Sequence, residues 1–455
     1  MSAQRSFVLV ALAISVLFLP RPLAAREFKV LYSFCSQTNC ADGAAPESGL
    51  VIDSSGNLIG ATSAGGTFAF DSGMGTVFEL LPDGANWTYK LLYNFCQKSG
   101  QACPDGQAPT GNLLLDKAGN VYGITRLGGG VHHSIVNGGV AFEVGFNAST
   151  STWVEKHVHE FCPDDCRKDG FAPVGGLTYD GAANGYPYDG ASALYGVTRG
   201  GGRGGSFEPV GVAFELLPVK GKKRWSEHSI HNFCSRPNCK DGGPAAGALI
   251  PDGTGNLLGT TQSGGRHGSG TVFQLTRGNN VNWSEHVIAD FCKKDSCSDG
   301  AGPSAGLLRD PSGNLFGMTA GGGKFCSFAV CGTVFRLSPA GSRWTLTTLH
   351  SFCAQFDCRD GRGPNTTLVM DAGGNLYGTT LQGGDDFVES GGAGVVFKVS
   401  ADGKLSILHR FCAARNCADG DHPQGTLTLD SQGNLFGTTN TGGAYGQGVV
   451  YEITP

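Results

Sequence analysis

Sixteen cysteines pose the first chemical question, because they fall in close pairs. Seven pairs occupy one recurring loop: "FCSQTNCADG" from Phe34, "FCQKSGQACPDG" from Phe95, "FCPDDCRKDG" from Phe161, "FCSRPNCKDG" from Phe233, "FCKKDSCSDG" from Phe291, "FCAQFDCRDG" from Phe352 and "FCAARNCADG" from Phe411. Thiols this close either bond to each other or share a metal. The C-x₄-C spacing is not a usual zinc knuckle and no histidine pair accompanies it. Disulfides are therefore expected: Cys35–Cys40, Cys96–Cys103, Cys162–Cys166, Cys234–Cys239, Cys292–Cys297, Cys353–Cys358 and Cys412–Cys417. An eighth pair, Cys326–Cys331, falls in a Gly-rich loop. For loops this short the chain-entropy gain is roughly 2 kcal/mol each.

An Asp-Gly follows each second cysteine, at Asp42, Asp105, Asp169, Asp241, Asp299, Asp360 and Asp419. Seven carboxylates at one repeat position could ring a channel mouth and hold calcium. The competing expectation is an Asx-type turn, each side chain capping its own backbone before the glycine. Repetition alone cannot build one acid and one base, so no catalytic residue, cofactor or other metal site is expected. Chemistry needs asymmetry, and few positions supply it. His132 and His133 lie in the second unit's Gly-rich loop, Arg199 and Arg203 in the third's, His267 in the fourth's, and Asp385, Asp386 and Glu389 in the sixth's. These are the candidate ligand-face residues. There is no nucleophile elbow or phosphate loop. Sequons at Asn86, Asn147, Asn282 and Asn365 matter only in a eukaryotic host.

What must position these groups is a repeat. The Phe before each first cysteine recurs at steps of 61, 66, 72, 58, 61 and 59 residues. Two further landmarks recur seven times, "GNLYG" (374–378) and "GTVFEL" (75–80) with their variants. Residues 368–411 read as strand "LVMD", turn "AGG", strand "NLYGTT", a Gly-rich loop, strand "GVVFKV" and strand "LSILHRF". Alternating apolar positions with frequent turn signals indicate antiparallel sheet, and no helical periodicity is evident outside residues 1–25. The fold expected is all-β: a seven-bladed β-propeller of four-stranded antiparallel blades. "EFKVLYSF" (27–34) matches a fourth strand and "GVVYEITP" (448–455) a third, so the N-terminal strand is expected to complete the last blade and remove two open edges. In that order the cysteine loops and the Gly-rich loops share one face. The insertion "DGAANGYPYDGASA" (180–193) widens a turn on the other face. All five tryptophans, Trp87, Trp153, Trp225, Trp283 and Trp344, lie eight residues before the repeat Phe. An aromatic sugar platform and packing between blades both fit that spacing, and its regularity favours packing.

Residues 1–25 have the layout of a secretory signal peptide: Arg5, the apolar run Phe7–Leu19, then "LAA". The apolar run is short for a bilayer span. The mature chain 26–455 is expected to be one domain, exported and monomeric, with no membrane span. Removing Arg5 and Arg21 leaves 31 basic against 38 acidic residues, a balance of −7, which argues against nucleic acid. The one basic run, "KGKKR" (220–224), reads as a solvated hairpin tip.

The motif "GNLYGTTLQGG" (374–384), followed by "GVVFKV", resembles the GloVer tandem repeat of bacterial exported proteins, over essentially the whole mature chain. The resemblance implies an exported repeat protein and no particular activity. The chain closes at Pro455 inside the last unit without a sorting tail, so a free secreted or periplasmic protein is expected. The function expected is a non-enzymatic binding or interaction propeller whose stapled face engages a carbohydrate or protein partner. The alternative is a hydrolase or lyase of extracellular polysaccharide using the irregular loop residues.

Overall fold

The glycine that ends each "GNLYG" makes room for an aromatic ring on the neighbouring strand. In the computed structural model a Cβ on Gly60 would lie 2.5 Å from the ring of Phe78. The same arrangement recurs at Gly123 with Phe142, Gly196 with Phe214, Gly259 with Phe273, Gly317 with Phe335, Gly378 with Phe397 and Gly437 with Tyr451. The structure describes residues 26–67, 74–97, 103–129, 138–163, 165–203, 210–221, 225–278, 282–326, 330–341, 343–384 and 391–454.

The first repeat shows the local logic. Its strands are Val51–Ile52, Leu58–Thr62, Thr76–Asp83 and Asn86–Asn94, each antiparallel to the next. The second and third are the most apolar and most buried, while the fourth alternates exposed and half-buried residues along its first half. That alternation marks an outer strand with one face to solvent. The turn between the first two strands is an Asx turn: Asp53 Oδ1 accepts from the N–H of Ser55 and of Asn57, at 2.8 and 2.9 Å. Asp116, Asp252, Asp371 and Asp430 do the same in other repeats. This explains the "D..GN" spelling.

Every repeat supplies such a four-stranded set. Those of the second and third repeats count as one eight-stranded sheet, joined by a single parallel pairing between Gly176 and Asn112. The first strand is shorter than the sequence suggests, in the sixth repeat only Val369–Met370, because the chain there bends inward through a separate three-residue piece, Arg362–Pro364. Glu27–Ser33 pairs antiparallel with Val449–Thr454, so the last sheet takes its outer strand from the start of the described chain.

Repeats are joined by aromatic pairs. The repeat Phe of one sheet packs against the third-strand ring of the next: Phe95 on Phe142, Phe161 on Phe214, Phe233 on Phe273, Phe291 on Phe335, Phe352 on Phe397 and Phe411 on Tyr451, with centroids 4.9 to 5.1 Å apart. Phe34, which follows the N-terminal strand, makes the same contact with Phe78 at 5.0 Å. One apolar cluster accordingly joins Phe34, Leu50, Phe78 and Leu80 of the first repeat to Phe436 and Val450 of the last. The tryptophans serve these interfaces: each is half-buried and packs against a cluster shared by two repeats, as Trp87 does beside Phe436 and Trp283 beside Tyr195.

Two local departures have clear causes. Among the described residues one short α-helix occurs, Cys166–Asp169, where the cysteines are four apart and Asp165 caps the N–H of Arg167. The insertion 180–193 is a turn of 3-10 helix followed by Tyr188, which is fully buried against Tyr122 of the preceding repeat. No helix among the described residues is long and apolar enough to cross a membrane.

Candidate functional site

Each cysteine loop is over-determined. Its sulfurs are bonded in the seven pairs expected, and Cys326 is bonded to Cys331. The first cysteine of every loop sits in the left-handed region, from φ 55° at Cys162 to 66° at Cys96, and six of the seven second cysteines do too. L-residues reach that region at a cost of order 1–3 kcal/mol, so something must hold them there. The Asp of the Asp-Gly does part of this. Asp241 is fully buried; its Oδ2 accepts from the N–H of Ser235 at 2.9 Å and its Oδ1 from that of Arg236 at 3.1 Å. Asp42, Asp299, Asp360 and Asp419 bind the matching pair of N–H groups, and Asp105 and Asp169 one each. The carboxylate thus reaches back five to eight residues, and among the described contacts the Asx turn before the glycine is not formed. It is the other repeated aspartate, Asp53 and its equivalents, that makes Asx turns.

A second partner escaped the sequence reading. Two residues before the repeat Phe stands a ring that contacts the same carboxylate. Tyr32 and Tyr93 donate to Asp42 and Asp105 at 2.7 and 2.8 Å. His159, His231, His350 and His409 lie 2.9 to 3.3 Å from Asp169, Asp241, Asp360 and Asp419. In the remaining repeat the position is Ala289. The signal was present as a Tyr or His at one repeat position. The only group of three or more metal-ligating atoms within 4.8 Å of one another, among the described residues, is the sulfurs of Cys326, Cys331 and Cys353, all bonded in disulfides.

Electrostatics at this rim are uneven. Burial would raise the Asp241 carboxyl, but bonds from His231, from the Ser235 hydroxyl and N–H and from the Arg236 N–H outweigh it and hold it well below the usual carboxylate range. On the adjoining outer strands Glu227 and Glu285 go the other way. Burial pushes Glu227 up to about 7, with His159 opposing and Asp169 adding. Burial likewise pushes Glu285 up to about 7 against the Arg236 guanidinium 2.9 Å away.

The cysteine and Gly-rich loops share a face. In all seven repeats the carbonyl of the second cysteine accepts a hydrogen bond from a Gly-loop N–H, Gly66, Gly129, Gly202, Gly265, Gly323, Gly384 or Gly443, at 2.8 to 3.2 Å. Inward of these loops lies a cavity of about 430 Å³ that takes at least one residue from every repeat, in its first strand or in the segment leading into it: Glu47, Thr110, Val174, Ala246, Ser304, Asn365 and Gln424. Its described charged residues are Glu47, Arg126 and Arg199. Glu47 is engaged, accepting from Asn440 Nδ2 at 3.0 Å and lying 3.7 Å from Arg126 Nη1. Arg126 was missed in the sequence although it occupies the same place in its strand, Val121–Leu127, as Arg199 does in Leu194–Gly200; Arg199 thus lies at a strand end and not in the Gly-rich loop expected. Asn365 Oδ1 is buried in the wall without a hydrogen-bond partner. No aromatic ring, cysteine or histidine lines the cavity among the described residues.

Of the candidate ligand-face residues, Arg199 reaches this cavity. Arg203 and His267 are exposed in their Gly-rich loops and do not line it, the Arg203 N–H donating to Asn232 Oδ1 at 3.0 Å. His132, His133, Asp385, Asp386 and Glu389 lie outside the described residues, as do the signal-like segment 1–25 and most of the basic run 220–224.

A family model described as the Gloeobacter/Verrucomicrobia repeat matches residues 184–355 and 290–455, two overlapping copies. Among solved structures, an ancestral GH74 enzyme is similar over 91% of this chain and 51% of its own, at 10% identity and a TM-score of 0.50, so the chain spans about half of that enzyme. A Bacteroides uniformis protein named as a candidate 6-phosphogluconolactonase is 12% identical over 80% of this chain and 84% of its own, with a TM-score of 0.45. A Dyadobacter fermentans protein of unknown function is 13% identical over 94% and 97%, with a TM-score of 0.42. No curated protein matches. At such identities the first likeness concerns the all-β fold alone.

Proposed function

We propose that this chain, which belongs to the Gloeobacter/Verrucomicrobia repeat family, is an exported, non-enzymatic binding module: a seven-bladed β-propeller closed by its N-terminal strand, taking a carbohydrate or protein partner on the face of stapled and Gly-rich loops. The pairing of Glu27–Ser33 with Val449–Thr454 and the Phe34–Phe78 contact support the closed ring. Eight disulfides support an oxidising compartment.

The observation that carries the binding reading is the wall of the cavity. Glycoside hydrolysis needs two carboxyl groups across the scissile bond, and the described wall has one, Glu47, already engaged by Arg126 and Asn440. What the wall offers instead is amides, hydroxyls and a guanidinium, groups that bind and orient. The test is a glycan array probed with the oxidised protein, residues 26–455, with calcium and with chelator, the eluate being assayed for released sugars. Binding without release supports the module, and loss of binding in chelator would show that a divalent cation is required. Released product would overturn the non-enzymatic reading and point to a polysaccharide hydrolase or lyase.

A further inference from the structure

At or just past the end of its second strand each repeat places one residue directly after a buried Thr: Ser63, Arg126, Arg199, Gln262, Ala320, Leu381 and Asn440, of which Arg126, Arg199, Gln262, Ala320 and Leu381 line the central cavity. Two of the seven are cations, and they stand on neighbouring repeats. Arg126 is balanced by Glu47. Arg199 is exposed, lines the cavity, and has no charged partner among the described residues. Among the described residues the cavity therefore carries a net positive charge, in a chain whose formal net charge is −5. The rest of the wall mixes amides and hydroxyls, Gln262, Asn365, Gln382 and Gln424 among them, with glycines, alanines, Val174, Val330 and Leu381, and Asn365 Oδ1 is buried and unpaired.

This inventory selects among ligands. A neutral sugar is commonly held by stacking on an aromatic face, and no ring lines the cavity among the described residues. A guanidinium beside amides matches a group that is both anionic and hydroxylated, since the planar fork of Arg pairs bidentately with a carboxylate while the amides serve hydroxyls. Resting on the binding reading above, we propose that the cavity mouth is a subsite for a uronic acid residue of an acidic saccharide. Arg199 would take the carboxylate, and Asn365 and its neighbours the ring hydroxyls.

The test is calorimetric titration of the oxidised protein with trigalacturonate, with the methyl ester of trigalacturonate, with a neutral trisaccharide and with inorganic sulfate. The ester keeps the shape and removes the charge. Trigalacturonate is expected to bind, with affinity falling as salt rises; Arg199→Gln should weaken it about tenfold or more, and the ester should show the same loss on the unmodified protein. Arg309→Gln, on the strand leading into the opposite face, should change nothing. Far-UV circular dichroism and melting of Arg199→Gln confirm that it folds, as an exposed unpaired side chain should allow. Equal binding of acid and ester, binding of the neutral trisaccharide alone, or sulfate binding as tight as trigalacturonate would overturn the uronate assignment while leaving the binding reading standing. Failure of every ligand here, together with a blank array, would overturn both.

Discussion

A buried aspartate that closes a loop by holding two N–H groups is worth more than an exposed one, because its removal strands donors in a backbone that already sits at positive φ. Asp241→Ala is expected to cost about 2–3 kcal/mol in chemical denaturation, against less than about 0.5 kcal/mol for an exposed control such as Asp402→Ala. Equal small effects would mean that the disulfide alone holds the loop. Titration gives the second prediction at this scale. The depressed Asp241 contributes stability that is present above the ordinary carboxylate range and lost as pH falls toward its folded value. Glu227 is raised, so its contribution is present below about pH 4.5 and lost as pH rises through about 7. Together these place maximal stability near pH 5, with a lower melting temperature at pH 8. Glu227→Gln should narrow that difference by raising the pH 8 value; an unchanged difference would show that Glu227 is hydrated and ordinary.

Within an element, the glycine of "GNLYG" is fitted closely to a ring. Gly317→Ala would drive a methyl group to 2.5 Å from the Phe335 ring and is expected to destabilise by about 1–3 kcal/mol through that clash, whereas Gly56→Ala, with open space around it, meets only the strain of positive φ, about 1–2 kcal/mol. Denaturation of the two variants decides it. Most of what was legible in the sequence lies at this scale. Period and turn residues mark the strands, the cysteine spacing the staples, and the shared face of the loops follows from strand order. The aspartates were legible as structural but not in their geometry, because reaching back to the N–H groups behind the first cysteine depends on how the disulfide folds the loop. The Tyr or His facing each aspartate was overlooked because its partner lies ten residues away across a loop. Arg126 and Arg199 are 73 residues apart; only the arrangement of neighbouring repeats around a shared cavity brings them to one wall, and nothing local in the chain announces that.

For the molecule as a whole, the join between first and last repeats is the part with no covalent support from its neighbours. Phe34 stands on a strand next to the described N-terminus, a place where substitutions are commonly harmless. Here it is fully buried against Phe78, so Phe34→Ala should cost about 3–5 kcal/mol, as much as Phe233→Ala at an internal join. A cost under about 1 kcal/mol would mean that the ring is open in solution.

That join also fixes how the molecule responds to force. Glu27 lies opposite Thr454, and Ser33 opposite Val449, so the two free ends leave the paired strands from the same side. Tension applied through them would load the hydrogen bonds of the join one after another, as in a zip, and not all at once in shear. Hauled by its ends the molecule should part at the clasp under small loads, into a string of still-folded sheets.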